Sequence, residues 1–221
     1  MENYRLTLLS TGNAEKKAPL LTREDWISTA LNLLVAEGIH SVQITVLAKK
    51  LGVTRGSFYW HFENRENLLD ALIAEWKARN TGIMVETLAN SRSLESGILD
   101  LFFVWVDHKQ FDVELDAAIR NWAQHSKEVQ NILQEEDNSR VAAIRDFFVR
   151  HKYDATEAFV RARIIYFTQL SYYSLGITEP MSDRLGYLST YIHSFTGLEI
   201  NPATSEEFKS RMLLWERENN S

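Results

Sequence analysis

Apolar residues first fall into a helical rhythm at Ile27, Ala30, Leu31 and Leu34, the i, i+3, i+4, i+7 spacing that lines one helix face. Thr22 precedes the run as an N-cap, Glu24 and Asp25 suit the positive end of the helix dipole, and Gly38 ends the segment. A short second helix is expected near Ile44 to Leu51, with Leu47, Ala48 and Leu51 inward and Gly52 as its stop. Thr54 then caps a third helix carrying the crowded run Phe58-Tyr59-Trp60-His61-Phe62. Phe58 and Phe62 are four apart and share a face. At about 100° per residue the opposite face holds Gly56, Ser57 and Trp60, with Tyr59 and His61 on its flanks. Two rings therefore belong to a core, and three side chains occupy surface the core does not need. Asn64 caps a fourth helix to about Arg79, while residues 1–21 show no sustained period and read as a mobile arm.

The remainder stays helical, with segments near 92–109, 113–124, 126–151, 155–175, 182–197 and 204–217. Breaks fall at Phe111-Asp112, at Lys152 to Asp154, and between Gly176 and Met181, where Pro180 sits. The segment 155–175 is apolar on nearly all sides, with Ala158, Ala162, Ile165 and Tyr166 on one of them, and such a helix demands burial all round. The next carries Leu185, Leu188, Ile192 and Phe195 at the 3-4-3 spacing of a bundle seam. Core helices of a monomer and helices shared with a second subunit both satisfy that spacing. Phe208, Met212 and Trp215 form a stripe that lies on its own body or crosses to a partner.

Composition sharpens the fold class. With 221 residues the chain makes one sizeable domain or two small ones sharing a core, and its 9 Gly and 3 Pro fall at the breaks, which favours an all-α protein. The absence of cysteine excludes disulfides, a thiolate metal site and a Cys nucleophile. The longest strictly apolar run, Leu101 to Val106, is far too short to span a bilayer, and the early "LTLLS" is too short for a signal-peptide core, so a cytoplasmic protein without membrane contact is expected. The net charge of −6 is unevenly distributed: residues 1–65 carry +2 and the rest −8. A mildly basic head on an acidic body fits a head that touches a polyanion. No G-x-S-x-G, P-loop, H-E-x-x-H or dinucleotide fingerprint occurs, and His108, His125 and His151 lack ligand spacing. Neither enzyme activity, a cofactor nor a metal is expected.

Helix, Gly-containing turn and a second helix presenting Arg, Ser, Tyr and His outward is the layout of a DNA-reading helix-turn-helix, although a helical hairpin inside a bundle has the same spacing. The stretch Trp26 to Leu69 further resembles the TetR family of bacterial transcriptional regulators. The resemblance runs through Ala30, Leu33, Leu34, Gly38, Leu47-Ala48, Gly52-Val53, Thr54-Arg55-Gly56, Tyr59, His61-Phe62 and Arg65 to Leu68-Leu69. "GVTRGSFYWHF" looks most like the reading helix of efflux-pump repressors in that family. The resemblance implies that Arg55, Gly56, Ser57, Tyr59 and Trp60 face double-stranded DNA, with Tyr59, His61 and Arg65 on phosphates. Arginine suits guanine O6 and N7, and hydroxyl and imidazole groups suit phosphate. Gln43, Thr45 and Thr54 complete the expected DNA-facing set. Gln43 stands where the family has Ser or Thr, and Thr45 where a long polar residue is common, so fewer phosphate contacts from the second helix are expected.

The implied organisation is an arm (1–21), a helix-turn-helix head (22–65) and a helical ligand-binding and dimerisation domain (66–221). The resemblance implies a pocket for a small hydrophobic or aromatic effector, with Trp76, Phe102, Trp105, His108, Trp122, Tyr166 and Gln169 as candidates, against plain core filling. It also implies a four-helix dimer interface, here assigned to Ala158, Ala162, Ile165, Tyr173, Leu185, Leu188, Ile192 and Phe195. The expected function is a homodimeric repressor released from a palindromic operator by its effector. An activator, or a binding module that has lost DNA recognition, stays open.

Overall fold

The computed structural model describes residues 21–219, so the expected arm lies outside the described residues save for Leu21. The described chain is all helical. Helices α1 (Arg23–Glu37), α2 (Ile44–Lys50), α3 (Arg55–Phe58) and α4 (Arg65–Trp76) form the head. After a π-helical turn, Lys77–Gly82, come α5 (Ile83–Asn90), α6 (Leu94–Val106), α7 (Val113–Ala123) and α8 (Lys127–Arg150). The last four are α9 (Ala155–Ser174), α10 (Met181–Gly186), α11 (Leu188–Thr196) and α12 (Pro202–Asn219).

Thr22 closes a capping box with Asp25, and Asn64 accepts from the Asn67 amide at 2.8 Å, as their positions predict. Thr54 and Gln43 occupy N-cap positions without capping bonds, and Gln43 instead donates to the His40 carbonyl at 3.0 Å. The third helix is shorter than expected, a single turn followed by a turn through His61. The fourth is longer: the backbone stays helical from Arg65 to Asn90, because the widened turn at Lys77–Gly82 carries it on. The expected helix over 182–197 breaks at Tyr187. Helix α12 lies back on its own body, burying Phe208 and Met212.

Two apolar clusters make the core. In the head, Trp26 meets Phe58 edge-on at 5.3 Å and Phe58 stacks on Phe62 at 5.3 Å. Leu68, Leu72 and Trp76 of α4 join that cluster, as do Leu115, Ile119 and Trp122 of α7, so the head is seated on the body through α7. The larger cluster fills the body among α5, α6, α8, α9, α11 and α12. Gly97 of α6 allows close approach there, because a Cβ would meet the Phe147 ring.

A buried polar network joins the two clusters. Asp116, 3% exposed, accepts from the Trp76 indole (2.9 Å) and Arg140 Nη1 (2.9 Å) on one oxygen and from Arg120 Nε (2.8 Å) on the other. Arg140, wholly buried, also donates to Thr81 Oγ1 at 2.9 Å and to the Tyr166 hydroxyl at 3.2 Å, and lies over the Trp76 and Phe111 rings. Arg120 forks onto both oxygens of Asp137, and Tyr166 donates to Asp137 at 2.6 Å. Asn80 brackets the Asp112 backbone, giving to its carbonyl and taking from its amide. Burial opposes ionisation of Asp116, but Arg140, Arg120 and Trp76 outweigh it and hold the carboxyl below its ordinary 3.8.

Removing one partner of a buried pair strands the other charge, so Arg140→Ala is expected to lower unfolding free energy by about 3–5 kcal/mol. Arg145→Ala, which loses only an exposed pair with Asp146, should stay within about 0.5 kcal/mol, both read by urea titration. The contribution of Asp116 is complete above the unfolded carboxylate pKa and is lost as pH falls through its lower folded value. Wild type should therefore lose more stability than Asp116→Asn between about pH 5 and about pH 2.

Candidate DNA interface and ligand cleft

The turn between α2 and α3 is set by Gly52 at φ +70°, and Val53 returns its amide to the Ala48 carbonyl at 2.9 Å. That closure leaves Phe58 and Phe62 pinned in the head cluster and turns the next residues out. Trp60 is 87% exposed and Tyr59 54%, the former a large ring with no core contact to justify it. Arg55, Gly56 and Thr54 are exposed, Ser57 and His61 half-buried, and Gln43 and Thr45 exposed on the α2 side. The expected DNA-facing residues, with a single exception, are thus exposed or half-buried on α2, α3 and the turns beside them. Lys49, exposed at the end of α2 and not in the expected set, stands beside them.

The exception is Arg65. Its Nε donates to the Val42 carbonyl at 2.6 Å and its Nη2 to the Ile39 carbonyl at 3.1 Å, half-buried beneath the turn Ile39–Ser41. Expected on phosphate, it instead ties the start of α4 to the residues leading into α2. The Ile39 carbonyl already takes the Val42 amide at 3.2 Å, and the guanidinium fork adds a donor to it and one to the Val42 carbonyl.

In the body a half-open cleft, lined mainly by apolar side chains, lies between α6, α9, α10, α11 and α12. Of the expected ligand residues it brings together Phe102 and Gln169. The others are elsewhere. Trp76 and Trp122 belong to the head cluster, where Trp76 is held by Asp116. Tyr166 is committed to the polar network, Trp105 is buried in the body core, and His108 lies exposed beyond α6. Aromatic content marks a residue as buried without saying against what, which is why these were grouped together.

The expected dimer residues are corrected likewise. Ala158, Ala162, Ile165, Leu185, Leu188, Ile192 and Phe195 are buried within the chain itself, and Tyr173 is half-buried, stacked on Phe111 with its hydroxyl on the Trp105 carbonyl. Ile165, Leu185, Leu188 and Phe195 line the cleft. The apolar residues that α9 leaves outside are Phe159, Val160, Ile164 and Phe167. Thr168, Tyr172, Glu179, Arg184 and Tyr191 line the cleft and were missed, because only their meeting across α9, α10 and α11 distinguishes them from surface.

The family described as "Bacterial regulatory proteins, tetR family" matches residues 27–72, the segment that builds this head. Over this segment the chain is similar to that family. Over 53 residues it is 42% identical to the HTH-type transcriptional regulator SrpR of Pseudomonas putida, 24% of this chain and 25% of that protein. Over 60 residues it is 45% identical to the tetracycline repressor protein class D of Escherichia coli, 27% of this chain and 28% of the repressor. The chain thus spans about a quarter of the length of the curated relatives it matches. The transcriptional regulator SCO7518 of Streptomyces coelicolor A3(2) shares this all-helical fold across 80% of this chain and 98% of its own, with a TM-score of 0.60 and 20% identity.

Because Arg65 is braced against carbonyls, Arg65→Ala should destabilise the protein by about 1.5–3 kcal/mol in urea unfolding. Tyr59→Ala, which removes a half-exposed ring lying edge-on to Phe58, should cost less, under about 1 kcal/mol. Equal stability of Arg65→Ala and wild type would return the arginine to the DNA-facing set.

Proposed function

We propose that the protein is a homodimeric DNA-binding transcriptional regulator, a repressor that leaves a palindromic operator when a small, largely apolar effector occupies the body. The observation that carries this is Arg55 exposed on the second helix of a helix-turn-helix, with Tyr59 and Trp60 exposed in the turn that follows it, within the segment matching the family. Residues 22–65 act as the reading head and 66–221 as the effector and dimer domain. Arg55 reads a base edge through the major groove, and Tyr59, Trp60 and His61 hold the backbone. Such a regulator works in the cytoplasm and catalyses nothing. Among the described residues no helix is long and apolar enough to cross a membrane.

Two-fold DNA half-sites call for a two-fold protein. Val160, Ile164 and Phe167 lie at i, i+4 and i+7 on α9, each 40–48% exposed, a single outer stripe suited to the same stripe of a second copy. Arg163, over the Phe159 and Phe167 rings, borders it.

The effector acts by population shift, binding the conformer whose heads are wrongly spaced for adjacent half-sites. Helix α4 is the transmitter: Arg65 grips the turn before α2 at one end, and Trp76 is bonded to Asp116 at the other. Tyr166 ties α9, a wall of the cleft, to the same network.

Fluorescence anisotropy on duplexes tiled across the upstream region of the gene tests the DNA reading. Wild type should bind one near-palindromic duplex tightly; Tyr59→Ala should weaken all duplexes alike, and Arg55→Ala should relax choice at one base pair per half-site, by about 1–3 kcal/mol. Weak, sequence-blind binding by wild type would favour a module that no longer reads DNA, a reading to which the uncapped start of α2 at Gln43 lends support. A companion variant, Ile164→Arg, should sediment as a folded monomer; an unchanged dimer would place the interface elsewhere.

A further inference from the structure

The polar end of the cleft is unevenly satisfied. The Tyr172 hydroxyl donates to Glu179 Oε2 at 3.2 Å, so the 2.8 Å contact between the Tyr172 and Tyr191 hydroxyls is a donation from Tyr191. Tyr191 thus donates to Tyr172 and Tyr172 to the Glu179 carboxylate, and the anion is answered from within the protein. The bond to Tyr191, together with burial, pushes the Tyr172 phenol above its ordinary value and keeps that relay protonated. The hydroxyl of Tyr173, on the same turn, is committed to the Trp105 carbonyl at 2.7 Å.

Arg184 has no such answer. Its guanidinium lies over the Tyr172 ring, 5.8 Å from the centroid, and makes no ion pair or hydrogen bond with any other described residue. It is half-buried on the cleft wall, and its neighbours inward are apolar: Leu188, Phe195, Phe102 and Met212. Gln169, 8% exposed, supplies an amide to the same wall. A guanidinium offers five donors in a planar fork that matches a carboxylate, and partial desolvation strengthens that pairing. An ammonium group here would face the unpaired arginine while the only carboxylate on the cleft wall is already engaged.

We propose that the cleft binds an amphipathic organic anion, a monocarboxylate whose head pairs with Arg184 and whose chain or ring lies against Phe102, Leu188, Phe195 and Met212. The proposal rests on the reading of this cleft as the effector site of a DNA-binding regulator, and it adds the sign of the ligand's charge to that reading.

Three probes of equal chain length separate charge from hydrophobicity: decanoate, decan-1-ol and decyltrimethylammonium, each titrated calorimetrically below its micelle concentration into the full chain. Decanoate should bind wild type at least about ten-fold tighter than the alcohol, and the ammonium more weakly than either. Arg184→Gln should bring decanoate and alcohol to equal affinity without weakening the alcohol, whereas Arg163→Gln, outside the cleft, should leave the preference intact. Tighter binding of the ammonium, an undiminished decanoate preference in Arg184→Gln, or no binding of any probe would overturn the proposal. The wild-type comparison alone decides the sign of charge should Arg184→Gln fail to fold. Operator anisotropy run alongside keeps the two readings apart. Decanoate binding that leaves the operator complex untouched sinks effector gating but not the anion site. An operator complex with a decanoate-blind cleft sinks the anion site alone.

Discussion

The carboxylate of Asp116 stands where head and body meet, and the positions of four helices are fixed relative to it. One oxygen takes the Trp76 indole from the head side and Arg140 from α8, and the other takes Arg120 within α7. A buried charge tolerates this setting only while its partners are complete, since each lost bond exposes a desolvation cost of several kcal/mol. The two arginines and two aspartates balance one another, and Tyr166 and Thr81 occupy further donors and acceptors. A core of packed side chains yields gradually, whereas this network is intact or broken. It therefore holds α4, α7, α8 and α9 in one arrangement and penalises intermediate ones.

The widened turn after Trp76 follows from that demand. Trp76 must reach the head cluster and Asp116 together, while Asn80 and Thr81 must reach Asp112 and Arg140. One additional residue in a turn rotates all that follows by about 100°, which reconciles the two sets on a backbone that never leaves the helical region. Such π-turns are places where a helix can change register locally. Coupling between distant sites needs an element with two arrangements, and this turn lies midway between the head and the cleft's neighbours.

The division within Phe58 to Phe62 was legible from spacing, because Phe58, which meets Trp26, and Phe62, which stacks on it, are four apart and none of the others shares their face. Thr22 and Asn64 were legible as caps because short polar side chains before a periodic run have one local use. Thr54 gave a false cap signal, since α3 is one turn long and its amides are answered otherwise. Arg65 looked free because a side chain's donors are visible in sequence while the carbonyls of Ile39 and Val42, more than twenty residues away, are not. The same blindness hid Asp116, Asp137 and Arg140, whose partners lie on different helices and meet only in the fold. Periodicity reports that Ala158, Ala162 and Ile165 are buried and is silent on whether the covering surface belongs to the same chain.

Helix α9 resolves the aromatic crowding of its sequence into three faces. Ala158, Ala162 and Tyr166 point to the body core and the polar network; Ile165, Thr168, Gln169 and Tyr172 wall the cleft; Val160, Ile164 and Phe167 are left outside. On a helical wheel the cleft and outer faces are separated by about 120°, so a rigid displacement of α9 by an occupant of the cleft moves the outer stripe and Tyr166 together. Tyr166 bonds Arg120, Arg140 and Asp137, and through Arg140 and Asp116 the displacement reaches Trp76 and α4. At the far end of α4, Arg65 grips the carbonyls before α2, so a tilt of that helix carries the corner of the head that presents Arg55 and Tyr59. Among the described residues no side-chain hydrogen bond joins a cleft-lining residue to the head directly. The path is nevertheless continuous in buried contacts, and each of its polar links has a geometry that a shift of one ångström would break.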